Sequence, residues 1–83
     1  MEVVYTKKSI ENLGGLPQIV QKRIVAKLRF YALQVTPLKF AERLADPCLG
    51  DWRFRIGDYR VIFDVVDDKI IVFKIARRDE VYK

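Results

Sequence analysis

Asp51-Trp-Arg-Phe-Arg-Ile-Gly-Asp-Tyr-Arg-Val-Ile-Phe63 is the stretch that decides the fold. Before Gly57-Asp58, the apolar residues Trp52, Phe54 and Ile56 alternate with Arg53 and Arg55. After it, Tyr59, Val61 and Phe63 alternate with Arg60 and Ile62. Period-two alternation predicts strands with one buried and one open face. A two-residue Gly-Asp loop between such strands predicts a hairpin. That loop pairs Ile56 with Tyr59 and sets Arg55 directly across from Arg60, with Arg53 one repeat further along the same face. Like charges facing each other across a strand pair are destabilising. Their presence here points to a polyanionic ligand.

The rest of the chain is read outward from this hairpin. Eighty-three residues with 51% apolar content make one small domain, residues 1–83, with a single core. Net charge is +5 and favours nucleic acid or an acidic protein partner. Residues 1–50 hold eight basic and four acidic side chains, whereas residues 51–83 hold eight and seven. The arginines of the second half are therefore individually placed and do not belong to a generally cationic surface. No apolar run approaches the roughly 20 residues of a membrane helix, and no charged-then-apolar leader opens the chain. With Cys48 the single cysteine, no internal disulfide forms. These features predict a cytoplasmic protein without membrane contact.

Glu2–Tyr5 is a short strand candidate. Thr6 or Ser9 caps a first helix through about Leu13, with Ile10 and Leu13 as its apolar contacts, ended by Gly14-Gly15. Pro17 opens a second helix running to about Gln34. Its apolar stripe is Val20, Ile24, Leu28 and Tyr31, widened by Val25 and Ala32. Lys22, Arg23, Lys27 and Arg29 form its solvated face. Pro37 stops the helix. Phe40, Ala41 and Leu44 form either a helical turn or a packed loop. A third strand, Lys69 to Ile75, follows an Asp67-Asp68 turn. A two-residue turn places Lys74 on the buried face; a bulge or longer loop buries Ile71, Phe73 and Ile75 instead, and is favoured because it buries no ammonium group. The layout predicts an α+β fold, with helices on one face of a sheet.

The chain contains no histidine. With one cysteine as well, the usual zinc sites and the Ser-His-Asp and Cys-His mechanisms are excluded. Gly14, Gly15, Gly50 and Gly57 fit no phosphate-loop spacing. No cofactor or metal is expected. What remains is an arginine-bearing sheet face and a C-terminal Arg-Arg…Tyr segment. Arginine suits phosphate because its planar fork donates two parallel hydrogen bonds. Several such groups at one phosphodiester stabilise the added charge of a pentavalent transition state. RNA carries its own nucleophile, the 2′-hydroxyl, and Tyr82 is suited to stack on a splayed base. The plainer alternatives are ion pairs: Arg60 with Asp58 or Asp64, and Arg77 and Arg78 with Asp79 and Glu80. Trp52 and Phe54 fall to the core, and Cys48 is inert.

Taken in order, the N-terminal strand, two helices, proline, Leu44, the Trp52–Phe63 run, the Asp67-Asp68 hairpin and the closing Arg78-Asp-Glu-Val-Tyr82 resemble the RelE family of toxins from bacterial toxin–antitoxin pairs. The resemblance spans essentially the whole chain. It implies a metal-independent endoribonuclease that cuts mRNA in the ribosomal decoding site by 2′-hydroxyl attack. It also implies contact with ribosomal RNA, neutralisation by a cognate antitoxin, and operator DNA binding only through the antitoxin complex. By position, Arg53 and Arg55 match basic residues that are often lysines, and Arg60 matches the arginine that steadies the scissile phosphate. Arg77 or Arg78 matches a late basic residue near the leaving oxygen, and Tyr82 matches the tyrosine that stacks on substrate. Two departures stand out. Arg53 and Arg55 are very poor bases, which leaves Tyr82, Asp58, Asp79 or an RNA group for that role. Ala76 or Arg77 stands where members often have histidine. The related ParE branch, which inhibits DNA gyrase by protein contact, is the main rival; a toxin that has lost its activity and mainly binds its antitoxin is the other.

Overall fold

In a computed structural model that describes residues 1–45 and 49–82, the elements run β1 (Glu2–Tyr5), α1 (Lys7–Gly14), α2 (Gln18–Ala32), a 3₁₀ turn (Pro37–Phe40), β2 (Glu42–Arg43), β3 (Trp52–Ile56), β4 (Tyr59–Val66) and β5 (Lys69–Arg77). The strands form one sheet in the order β1-β5-β4-β3-β2. Pairing is antiparallel except for β1, which lies parallel to β5. A parallel pair needs a crossover, and the two helices supply it. The α+β class is as expected; the two-residue edge strand β2 was not foreseen. Cys48 lies outside the described residues.

The hairpin forms in the predicted register, with Ile56 across from Tyr59 and Arg55 across from Arg60. Gly57 takes a φ of 58°, the positive value that a Gly-first two-residue loop requires. On the helix side, Phe54 and Val61 are fully buried and Ile56 nearly so. They join Ile24, Leu28, Tyr31 and Ala32 of α2 in one core. The Phe54 ring stacks on Phe63 at 4.3 Å and on Tyr31 at 4.5 Å between centroids, so an aromatic column links sheet to helix.

Helix α1 is capped by Thr6, whose hydroxyl accepts the Ser9 N–H at 3.2 Å. Its inward residue differs from expectation. Ser9 is fully buried and Ile10 is 58% exposed. Ser9 tolerates burial because its hydroxyl donates to the Thr6 carbonyl at 2.8 Å. Helix α2 begins at Gln18 and stops at Ala32, two residues short of the expected end, with Pro17 just ahead of its first turn.

The register of β5 corrects the sequence expectation. The Asp67-Asp68 turn holds two residues, at φ of 49° and 62°, and sets Val66 across from Lys69. Aspartate tolerates this left-handed region better than most residues. Ile70 and Val72 therefore face the core, in place of Ile71 and Phe73. A bulge follows, because Phe63 pairs with Val72 while Ile62 pairs with Lys74, which passes over Phe73. The bulge returns Ile75 to the core and keeps Lys74 away from it. Both devices occur together, so the ammonium avoids burial as anticipated but by a different route. The Ile75 N–H is taken up by Asn12 Oδ1 at 3.1 Å, which ties α1 to the bulge.

Gly50 lies against the opposite face. Its φ is 147°, and a Cβ there would stand 2.7 Å from Ile62 Cγ2. Gly50→Ala is expected to cost about 1–3 kcal/mol through backbone strain and overpacking. Urea unfolding checks this, with a lowered midpoint at unchanged slope.

Candidate functional site

Pleating sends Arg53, Arg55 and Arg60 to the face away from the helices, together with Ile62 and Asp64. The alternation breaks down in burial, however. Arg60 is only 6% exposed and Ile62 is fully buried, because β4 is the central strand of the sheet. Arg60 folds back over the hairpin turn, where its Nη1 donates to the carbonyls of Gly57 and Tyr59, both at 2.9 Å. Among the described residues it forms no ion pair, so the suggested partnership with Asp58 or Asp64 does not occur. Asp64 instead accepts the Asp51 N–H. Burial first, and then the charges of Arg55, Arg53 and Arg78, hold the Arg60 pKa below the ordinary guanidinium value.

Those neighbours define the cluster. The Arg78 N–H donates to the Asp58 carbonyl at 2.8 Å, fastening the C-terminal segment onto the hairpin turn. Val81 behind it is fully buried. Arg77 is placed differently: it pairs with Tyr59 on the helix-side face, and its Nε lies 3.5 Å from Asp79 Oδ1 in an exposed ion pair. Of the six residues expected at the site, the fold therefore gathers Arg53, Arg55, Arg60, Arg78 and Tyr82, and leaves Arg77 outside. Asp79 is engaged with Arg77, away from this group.

Arg53 is the best-connected member. Its Nη1 donates to the Tyr82 hydroxyl and its Nη2 to Glu42 Oε2 at 2.9 Å. Its guanidinium carbon lies 6.0 Å from the centroid of the Tyr82 ring, and its buried Nε has no hydrogen-bond partner among the described residues. Tyr82 is half exposed and lines a cleft of 460 Å³ with Arg43, Leu44, Ala45, Leu49 and Arg53. Arg43 stacks over Trp52 at 5.3 Å, and Trp52 is partly buried.

Glu42 was not anticipated. It sits on β2 directly across from Arg53, and its other oxygen reaches Arg55 Nη1 at 3.3 Å. A two-residue strand has no periodicity to betray it; only a cross-strand register would have pointed to this carboxylate. The hydrogen bond from Arg53, then the charges of Arg53 and Arg55, hold the Glu42 carboxyl below its ordinary pKa. A group whose pKa is depressed on folding stabilises the fold above its unfolded pKa, and that contribution is lost as pH falls through the folded value. We expect the Glu42 carboxyl to titrate by ¹³C NMR below the ordinary glutamate range, and its midpoint to return toward that range in Arg53→Ala.

A second basic surface lies on α2, which exposes Lys22, Arg23, Lys27 and Arg29 and contains no acidic residue. Among the described residues no group of three or more His, Cys, Asp or Glu gathers to hold a metal ion. Among the described residues no helix is long and apolar enough to cross a membrane.

A small mixed sheet thus carries helices on one face and arginines with Tyr82 on the other. The family described as ParE toxin of type II toxin-antitoxin system, parDE, matches residues 3–82, and the chain belongs to it. Among solved structures, the chain is similar to the archaeal RelE-RelB complex from Pyrococcus horikoshii OT3. Identity there is 28% and the TM-score 0.73, covering 96% of this chain and 97% of that one. The toxin-antitoxin complex RelBE2 from Mycobacterium tuberculosis shares the fold at 23% identity and a TM-score of 0.75, covering 93% and 96%. The RelB-RelE complex from Methanococcus jannaschii shares it at 22% and 0.68, covering 95% and 94%. No curated protein sequence matches the chain.

Proposed function

We propose that this toxin is a metal-independent endoribonuclease that cuts mRNA in the ribosomal decoding site. The observation that carries this reading is the convergence of Arg53, Arg55, Arg60 and Arg78 beside Tyr82 on one sheet face. A ParE-type binding inhibitor of gyrase does not call for such a cluster around a buried cation that forms no ion pair among the described residues. In the proposed step the 2′-oxygen attacks the adjacent phosphorus and gives up its proton. The P–O5′ bond breaks, and the leaving oxygen takes a proton. The products are a 2′,3′-cyclic phosphate and a 5′-hydroxyl. Arg60, already desolvated, meets the developing charge; Arg53 and Arg55 grip the non-bridging oxygens, and Arg78 stands toward the leaving group. Tyr82 stacks on the base that is splayed out. Ribosomal RNA contacts the basic face of α2.

A cognate antitoxin is the expected protein partner, since three similar structures are complexes of toxin with antitoxin. Operator DNA is reached only through that complex, and the cytoplasm is the expected compartment. The family description, ParE toxin, favours a second reading: inhibition of DNA gyrase through protein contact. Induction in growing cells separates the two. The nuclease reading expects new 5′-hydroxyl ends within coding regions that vanish when initiation is blocked. Intact transcripts with relaxed plasmid DNA would favour gyrase.

A further inference from the structure

Glu42 takes no part in the step described above, yet it holds the centre of the arginine patch. Its two carboxylate oxygens meet Arg53 Nη2 at 2.9 Å and Arg55 Nη1 at 3.3 Å. A planar, two-oxygen anion between two guanidinium groups stands where two non-bridging phosphate oxygens would bind. Tyr82 occupies the other terminal nitrogen of Arg53, so both of its terminal nitrogens are engaged within the protein itself.

Resting on the nuclease reading, we propose that Glu42 is an internal competitor for the substrate phosphate: its carboxylate fills the phosphate position between Arg53 and Arg55, and a ligand must displace it to bind. A free inorganic anion offers only its charge against a carboxylate already in place. A single-stranded polynucleotide offers a phosphate and, next to it, a base that engages Tyr82 as that ring parts from Arg53. Displacement weakens every phosphate ligand alike, so a bare polyanion is left unbound while a strand that also engages Tyr82 still binds. The same pairs relieve the cross-strand repulsion of Arg53, Arg55 and Arg60 while no ligand is bound.

The position of Glu42 favours this role. Its side chain is 42% exposed on an edge strand, so it swings into solvent without unpacking the core. Arg53, by contrast, is 27% exposed at its side chain and stays in place.

The test compares wild type with Glu42→Gln, which keeps the side-chain shape. Inorganic phosphate is titrated while the arginine Nε–H resonances are followed by NMR, and amide dispersion in the same spectra reports the fold. Affinity for phosphate is expected to rise about tenfold in the variant. For a single-stranded RNA blocked by 2′-O-methyl groups a similar gain is expected, because both ligands displace the same carboxylate. Unchanged or weaker phosphate binding in a folded Glu42→Gln protein overturns the proposal. A gain for phosphate with none for the RNA overturns displacement of Glu42 by the substrate strand. Tighter phosphate binding in a protein that leaves mRNA whole on translating ribosomes upholds the displaced carboxylate and overturns the nuclease reading on which it was built.

Discussion

Arg60→Met is expected to lower translation-coupled mRNA cleavage by about 10²–10³-fold without lowering the melting temperature. The loss follows from removing one preorganised donor at a developing phosphorane charge. The stability side follows from where Arg60 sits. It is 6% exposed, it forms no ion pair among the described residues, and Arg55, Arg53 and Arg78 surround it with like charge. Two backbone carbonyls satisfy its Nη1, but they do not neutralise it. Replacing a buried cation that has no ion-pair partner by an apolar side chain of similar reach removes a desolvation cost and strands no opposite charge, so it is expected to be neutral or stabilising. Activity lost at no cost in stability is the signature of a residue placed for function at the expense of the fold. The measurements are single-turnover cleavage on programmed ribosomes and thermal unfolding by circular dichroism. Cleavage within a few-fold of wild type would remove Arg60 from the chemistry. A large fall in melting temperature would make it a structural residue.

Phe54→Ala carries the largest expected effect on the fold. The ring is fully buried between Phe63 and Tyr31, at centroid distances of 4.3 Å and 4.5 Å. Tyr31 continues the column to Phe40 at 5.3 Å. Truncating a buried phenylalanine costs about 3–5 kcal/mol, from lost transfer energy and the cavity left behind. A domain of this size has a total stability on the order of 4–12 kcal/mol. The melting temperature is therefore expected to fall by more than about 12 °C, at about 4–8 °C per kcal/mol. Arg53 and Arg55 flank Phe54 in sequence, so their placement is expected to fail with it. Phe54→Leu, which refills most of the space, is expected to recover most of the loss.

The hairpin could be read from sequence because its signals are local. Period-two alternation runs on either side of Gly57-Asp58, and the two-residue loop leaves a single register. That register alone brought Arg53, Arg55 and Arg60 to one face. What escaped depends on partners distant in the chain. The bulge at Phe73 is a property of the β4–β5 pair, and Asn12, 63 residues away, accepts the Ile75 amide beside it. Ser9 outranks Ile10 for burial because a hydroxyl bonded within its own helical turn is inexpensive to bury. The burial of Arg60 came from the middle position of β4 and the fold-back over its own turn, neither of which alternation encodes. Arg77 and Arg78 were indistinguishable in sequence; strand parity in β5 sends Arg77 to the helix side, and the Asp58 carbonyl holds Arg78 at the hairpin. Glu42 needed the pairing of a two-residue edge strand, for which no sequence pattern exists.

The central claim, that this arginine face promotes attack by an RNA 2′-hydroxyl on its neighbouring phosphate, is tested most directly by one atom. Ribosomes are programmed with two mRNAs, one all-ribose and one with a single 2′-deoxynucleotide on the 5′ side of the cleavage position mapped for the first. The purified protein is expected to cut the all-ribose message to a 2′,3′-cyclic phosphate and a 5′-hydroxyl, and to leave the substituted message whole at that position. Equal cleavage of both messages at that position, or no cleavage of either while purified gyrase is inhibited, would contradict it.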